Sequence, residues 1–307
     1  MLASRGRQAF FADLASRAAL LSLLSNAGLM VLKLVVAVIT GSVAVLSDGI
    51  DSAEDMVASA FVLWSVRLSA RPADEEHPYG HGGAESIAAS AQAVLITAGA
   101  AFIAYQAIRR LIVGEVEIGI GLGLAAMLVT GVVNLGVVLY VSQAARRTGS
   151  LALRSDARHL LANIAQALAV VLALVLVGLT GRNEFDAAVA LLLAAYLLWT
   201  AWGIFAGASQ QIMDVRLPEE EERVVQETLA RHPGQVFGYH KLRSRRLGRH
   251  RYVELHVVVD PKRTLEEVHA LLDSIEGEIK SALADAEVTI HAEPDDGRPR
   301  RPRSAGR

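Results

Sequence analysis

The chain of 307 residues contains no cysteine. Disulfides and thiolate metal sites are therefore excluded, which argues against a Cu(I) carrier that relies on cysteine. Aromatic residues are scarce, at 5%, while hydrophobic residues reach 52%, a share too high for a typical soluble domain. No nucleotide fingerprint of the form G-x-x-x-x-G-K-[ST] occurs, nor a nucleophile–base set, so the chain does not read as an enzyme. A cleavable signal is absent from the reading too: the first apolar run is too long, and no small-residue cleavage site precedes a soluble domain. Net charge is slight, at -2, and uninformative as a total because the charges are unevenly spread. No nucleic-acid partner is expected.

What is present is long apolar runs. Six are near the roughly 20 residues that a bilayer core requires: 18–40, 42–66, 85–112, 118–142, 155–180 and 185–207. Residues 1–213 thus read as a six-helix membrane domain, with the second and fifth spans the least apolar, and 214–296 as a charged soluble domain. An even number of spans puts both termini on one side. Arg5, Arg7, Arg17, Arg67, Arg71, Arg146, Arg147 and Arg154 crowd the terminal side, so the positive-inside rule makes both termini cytoplasmic. Arg109 and Arg110 oppose the trend and read as snorkelling. For Lys33, mid-span in the first helix, snorkelling and a buried partner are both open. Arginine and alanine dominate over lysine and isoleucine, a hint of a GC-rich bacterial genome.

Two polar words interrupt the apolar spans. Ser47-Asp48-Gly-Ile-Asp51-Ser-Ala-Glu-Asp55 in the second is echoed by Ser155-Asp156-Ala-Arg158-His159-Leu-Leu-Ala-Asn163 in the fifth. Both read S-D-x-x-[D/H]-x-x-x-[D/N], which lays the last three polar positions on one helix face. A charge at membrane depth costs about 3 kcal/mol on insertion scales and rarely stands without a partner or task. Residues i and i+4 lie about 6 Å apart along a helix axis, so each pair can converge on one ion. Asp51, Asp55, His159 and Asn163 together offer the oxygen and imidazole ligands that suit a divalent metal. The plainer alternative is a set of buried hydrogen bonds between helices.

The soluble part has a second pattern. Pro218 followed by Glu219 to Glu222 opens a helix to about Arg231, and His232-Pro233-Gly234 breaks it. Segments 235–246 and 250–260 alternate like strands around Leu247-Gly248. Thr264 with Glu267 forms a capping box that starts a helix to about Leu283, and a last strand runs over 287–292. The order α-β-β-α-β makes a two-layer α+β domain. The basic, proline-containing tail 297–307 reads as disordered.

Laid out this way, the chain resembles the cation diffusion facilitator family from about residue 10 to 294. The resemblance rests on the paired polar words, on the loop Pro72-Ala-Asp74-Glu-Glu-His77-Pro-Tyr-Gly80-His81-Gly82 followed by Ala84-Glu85-Ser86, and on histidines ending in His291-Ala-Glu293-Pro294. It implies six transmembrane helices, a ferredoxin-like cytoplasmic domain, a homodimer in the lipid bilayer, and efflux of a divalent metal, Zn2+ first, in exchange for protons. By resemblance, Asp51, Asp55, His159 and Asn163 bind the transported ion, with Asp48 and Asp156 as supporting or entry groups. Asp74, His77 and His81 match a second site in the loop, where Pro78 and Gly80 favour a turn over a helix start. His240, His256, His269, His291 and Glu293 match a binuclear cytoplasmic site; His232 and His250 do not match and read as surface residues.

Two departures matter. Asn163 stands where the zinc and iron members usually have Asp; its neutral amide favours harder ions, so Mn2+, Fe2+ and Co2+ stay open beside Zn2+. Gly83 stands where the family often has a lysine that pairs with an acid below the last span, here Asp214, so that interlock lacks its basic half. A manganese or iron exporter of the same fold, and a metal-sensing membrane scaffold that transports nothing, are the rival readings.

Overall fold

The computed structural model describes residues 2–40, 43–113, 122–182 and 184–296. The chain divides into two compact units, Met1–Ser209 and Gln210–Arg307. Among the described residues the first holds six long helices: α1 (Leu2–Thr40), α2 (Val43–Ser69), α3 (Gly83–Val113), α4 (Leu122–Thr148), α5 (Leu151–Thr180) and α6 (Glu184–Ile212). Among the described residues, five are long and apolar enough to cross a membrane, in the segments Asp13–Ile39, Gly83–Arg109, Leu128–Thr148, Leu151–Thr180 and Glu184–Ile212. The sixth, α2, is long enough but carries Asp48, Asp51, Glu54 and Asp55 in its first half, and it packs on α1, α3 and α5. The expectation that the fifth span is among the least apolar does not hold. Its apolar stretch has mean hydropathy 2.6, the highest of the five, because its polar word is confined to the first turns.

Helix ends follow local chemistry. Gly149 at φ 69° ends α4, and the Ser150 hydroxyl accepts from the Leu153 amide to cap α5, which therefore starts at Leu151 rather than 155. Gly181, also left-handed at φ 68°, returns its N–H to the Val177 carbonyl and stops the helix. Residues 114–121 and 41–42, where the sequence places two breaks and the start of the fourth span, lie outside the described residues.

Two apolar clusters organise the helical unit. Ala15, Ala18 and Ala19 of α1, Val62 and Val66 of α2, Val138 and Val141 of α4, and Leu153 and Leu160 of α5 form one. Ala89, Ala93 and Ile96 of α3 meet Leu193, Leu197 and Ile204 of α6 in the other, joined by Leu151 and Ala162 of α5. Small residues on these faces let the backbones approach closely, the usual basis of helix association in lipid. Because α5 shares both clusters, the two faces flanking His159 are held by different neighbours.

The second unit has the expected order: α7 (Glu219–Ala230), β1 (Val236–Leu247), β2 (His250–Val259), α8 (Leu265–Ala282) and β3 (Ala286–Pro294). Four glutamates fill the first turn of α7 after Pro218, and the Thr264–Glu267 capping box opens α8 with both of its bonds made. The sheet runs β1-β2-β3, antiparallel between the first pair and parallel between the second. Val253, Leu255, Val257 and Val259 project from β2 into a core with Val225 and Leu229 of α7 and Val268, Leu271, Ile275 and Ile279 of α8. Alternation then sends Glu254 and His256 to the face away from that core. The tail 297–307 lies outside the described residues.

Candidate functional site

Asp55 on α2 meets α5 across 104 residues of sequence. Its Oδ1 lies 2.7 Å from His159 Nε2, and its Oδ2 accepts a 2.9 Å bond from the Asn163 amide. His159 and Asn163 are one turn apart, so both reach the same carboxylate. Behind it Asn26 of α1 donates to Ser59 at 2.8 Å and reaches the Asp55 carbonyl at 3.5 Å. Beside the trio opens a cavity of about 440 Å³, onto which Lys33, Glu54 and Gln166 also face. Nδ1 of His159 is buried and has no hydrogen-bond partner among the described residues. The side chains of Asp48 and Asp51 lie outside the described residues.

Other polar residues settle elsewhere. Asp156 is fully buried, facing Ser22 of α1 and Gln92 of α3 instead of the cavity. Lys33, at 6% exposure, is inside the bundle, so snorkelling is not its solution. Glu85 stands in the Ala84-Glu85-Ser86 stretch after the loop, where the sequence assigns it no role of its own. Its buried carboxylate accepts from Ser69 at 2.9 Å, from Ser150 at 2.7 Å and from the Ala152 amide at 3.3 Å. The end of α2 and the starts of α3 and α5 thus converge on one side chain. The motif marks the position, but the partners of this carboxylate, up to 67 residues away, are not legible from it.

In the loop between α2 and α3, Asp74, His77 and His81 come together with their ligand atoms within 4.8 Å of one another. Asp74 lies 3.3 Å from His77 Nδ1 and 3.2 Å from His81 Nε2. A turn does this: Gly80 N–H bonds the His77 carbonyl at 2.9 Å, Pro78 occupies the second position, and Gly80 takes φ 78°. The backbone N–H of His77, bonded at 2.7 Å, and its imidazole hold the Asp74 carboxyl below the usual carboxylate range.

On the sheet, His240 stands opposite His256 across the β1–β2 ladder, and His256 opposite His291 across β2–β3. Their ring centroids are 5.2 Å and 4.7 Å apart, a row of imidazoles on the face away from the helices. Glu293, two residues beyond His291 on the same face, reaches His256 Nδ1 at 2.6 Å and His240 Nε2 at 3.4 Å. A bulge after His240, with Lys241 at φ 53°, interrupts the register there. His269 is not brought into this group. It stands on α8, largely exposed, 3.6 Å from Asp273, in the other layer of the domain.

Nor are His232 and His250 the surface residues expected. His232 is mostly buried and lies 2.9 Å from Glu278, while burial, with Arg249 beside it, pushes His250 below the ordinary imidazole range. Asp214 accepts from Arg245 at 2.9 Å within its own unit, so it has a basic partner despite Gly83.

The comparisons with known proteins agree with this layout. The family profile described as cation efflux transmembrane domain matches residues 19–213, and that described as cation efflux protein, cytoplasmic domain, matches 217–295. Cation-efflux pump FieF of Klebsiella pneumoniae is 33% identical over 286 residues, covering 92% of this chain and 94% of that protein. Its namesake from Yersinia pestis is 36% identical over 259 residues, covering 83% and 84%. A solved structure of the zinc transporter CzrB, described as putative and in its zinc form, is 36% identical, covering 28% of this chain and 99% of that one with a TM-score of 0.27.

Proposed function

Since this chain belongs to the cation diffusion facilitator family of divalent-metal efflux transporters, we propose that it carries Zn2+ out of the cytoplasm in exchange for protons. The observation that carries the reading is the Asp55 carboxylate, held at once by His159 and Asn163 beside a cavity. A proton between His159 Nε2 and Asp55 Oδ1, 2.7 Å apart, satisfies both groups. A cation that takes Nε2 and the carboxylate oxygens must displace it, so loading and protonation exclude each other. Asn163 donates to Asp55 through its nitrogen; to ligate, the amide must turn its oxygen inward. Asp51, one turn from Asp55, supplies the second carboxylate that neutralises a divalent ion. Alternating access around this site then couples metal leaving to protons entering.

The rest of the assignment follows from the same layout. The chain sits in a bacterial inner membrane with both termini cytoplasmic, as a homodimer. Asp74, His77 and His81 take a second ion. His240, His256, His291 and Glu293 take ions on the sheet, which His269 joins only from a second copy, since it lies in the other layer of its own domain. Asn163 favours a second reading, a Mn2+ or Fe2+ exporter, because an amide oxygen is neutral and hard.

Reconstituted vesicles under a pH gradient test both, with Zn2+, Mn2+, Fe2+ and Co2+ compared. Zn2+ flux that acidifies the compartment it leaves supports antiport; flux without proton movement overturns it, and flux led by Mn2+ or Fe2+ transfers the assignment. Asp55→Asn is expected to lower transport by more than the about 10–100-fold that loss of a ligand's outer partner costs. Undiminished flux in that variant removes Asp55 from the site.

A further inference from the structure

Among the described residues, Lys33 of α1 and Glu54 of α2 face the same cavity of about 440 Å³ as Asp55, His159 and Asn163. Glu54 stands at an unmarked position of the first polar word. The matching position of the second word is Ala162, which lines the cavity too. Glu54 is exposed and makes no hydrogen bond or ion pair among the described residues. Its charge nevertheless acts on His159. Gln166, two turns beyond His159, also faces the cavity and makes no hydrogen bond among the described residues. His159 itself, 8% exposed, keeps a buried Nδ1 without a partner there. The polar groups around this cavity are thus not spent on one another.

Charge decides what the additional groups do. Charged side chains within membrane spans pair with one another or line a functional cavity. A divalent ion at that depth needs two opposite charges, and Asp51 and Asp55 bring two. Asn163 and Gln166 are neutral and bring none. Lys33, at 6% exposure, holds its ammonium inside the bundle on the same cavity and cancels one. With these groups alone, a bound divalent ion would keep a unit charge unmatched where a low dielectric screens poorly. The carboxylate of Glu54 restores the balance.

We propose that Glu54 is a third carboxylate of the cation site, offsetting Lys33 so that the cavity presents the charge of a divalent ion. The inference rests on the reading of Asp51, Asp55, His159 and Asn163 as the transport site. Space allows it, since the cavity of about 440 Å³ far exceeds the about 30 Å³ share of one water. One residue of helix turns Glu54 about 100° from Asp55, and the additional methylene of glutamate helps its carboxylate reach back toward the ion.

The test is Zn2+ titration by calorimetry of the full-length protein in detergent at neutral pH. His81→Ala and His256→Ala are present throughout, so that the loop and the sheet do not take the ion. Glu54→Gln is expected to weaken Zn2+ binding at least about 10-fold, the lower end of what loss of a group supporting a metal ligand costs. Glu54→Ala serves the same comparison if the amide variant loses its thermal transition. Charge balance makes a further demand. Lys33→Met, which removes the opposing charge, should recover most of the loss when combined with Glu54→Gln. Asn163→Asp, which returns a carboxylate from α5, should do the same and covers the case in which Lys33→Met misfolds. Unchanged binding in Glu54→Gln overturns the proposal. So does a loss that neither second substitution recovers, which would make Glu54 a structural support. Asp55→Asn separates this failure from that of the site itself: binding lost in Asp55→Asn but not in Glu54→Gln leaves the transport site standing without Glu54. Binding undiminished in Asp55→Asn overturns both.

Discussion

Asp55 accepts two bonds at once, and the neutrality of one donor has a consequence at the scale of a single residue. Asn163 contributes no charge and no titrating proton. Asn163→Asp is expected to tighten Zn2+ binding, since a charged ligand is added, and to steepen its dependence on pH, since one more group must lose a proton. Competition between Zn2+ and Mn2+ at two pH values, wild type beside variant, reads both effects. Unchanged preference, or lost folding, would reduce Asn163 to a hydrogen-bonding link between α2 and α5. The words S-D-x-x-[D/H]-x-x-x-[D/N] announced this trio because turn spacing alone aligns their polar positions. The same reading placed Asp156 beside the site, whereas its carboxylate faces α1 and α3, a direction that only the packing of three helices defines.

At the scale of elements, Glu85 joins three helix ends that the chain reaches at separate times. Removing it leaves the Ser150 hydroxyl and the Ala152 amide without their acceptor, each costing about 1–3 kcal/mol when buried, while Ser69 keeps the Val66 carbonyl at 3.1 Å. Glu85→Ala is therefore expected to lower the melting temperature in detergent markedly, with Glu85→Gln intermediate because the amide oxygen still accepts. Equal melting of all three proteins would show the knot to be idle. The sheet gives a second test. A fragment of residues 210–296 should be stabilised by Zn2+, by about 2.7 kcal/mol at a hundredfold excess over its dissociation constant. His256→Ala should abolish that stabilisation. His269→Ala should leave it intact in the monomeric fragment, because α8 lies in the other layer. Loss of binding in the monomeric His269→Ala fragment would overturn this placement.

At the scale of the molecule, each unit has its own apolar core, and in the second an ion-pair cluster beside that core makes the fold sensitive to acid. In the second unit Glu221 is partly buried, which raises its pKa, but the Arg251 and Arg246 guanidinium groups at 2.7–2.9 Å outweigh this and hold it below the usual carboxylate range. A depressed carboxylate stabilises the fold above its ordinary pKa, and that contribution is lost as pH falls through the lower folded value. The second unit should accordingly lose stability below about pH 4, the ordinary carboxylate range. Glu221→Gln should melt earlier at neutral pH by about 1–2 kcal/mol and show a flatter acid limb. Chemical denaturation of the fragment across pH checks this; parallel curves for variant and wild type would contradict it.

The sequence by itself determined the local structure. Apolar runs give helices, alternation gives strands, Gly149 and Gly181 give stops, and Thr264 with Glu267 gives a cap, all within a few residues of the groups that read them. The family resemblance nominated Asp74, His77 and His81 as one loop site, and the turn at Pro78 and Gly80 brings their ligand atoms within 4.8 Å of one another. Tertiary structure alone decided which long-range meetings occur. It turned Lys33 inward, tied His232 to Glu278, and placed His269 in the layer opposite the histidine row. It also gathered three helix ends on Glu85. The physical reason is that hydrogen bonding along a helix or turn is set by neighbours in the chain, whereas a side chain's remote partner depends on which faces bury together.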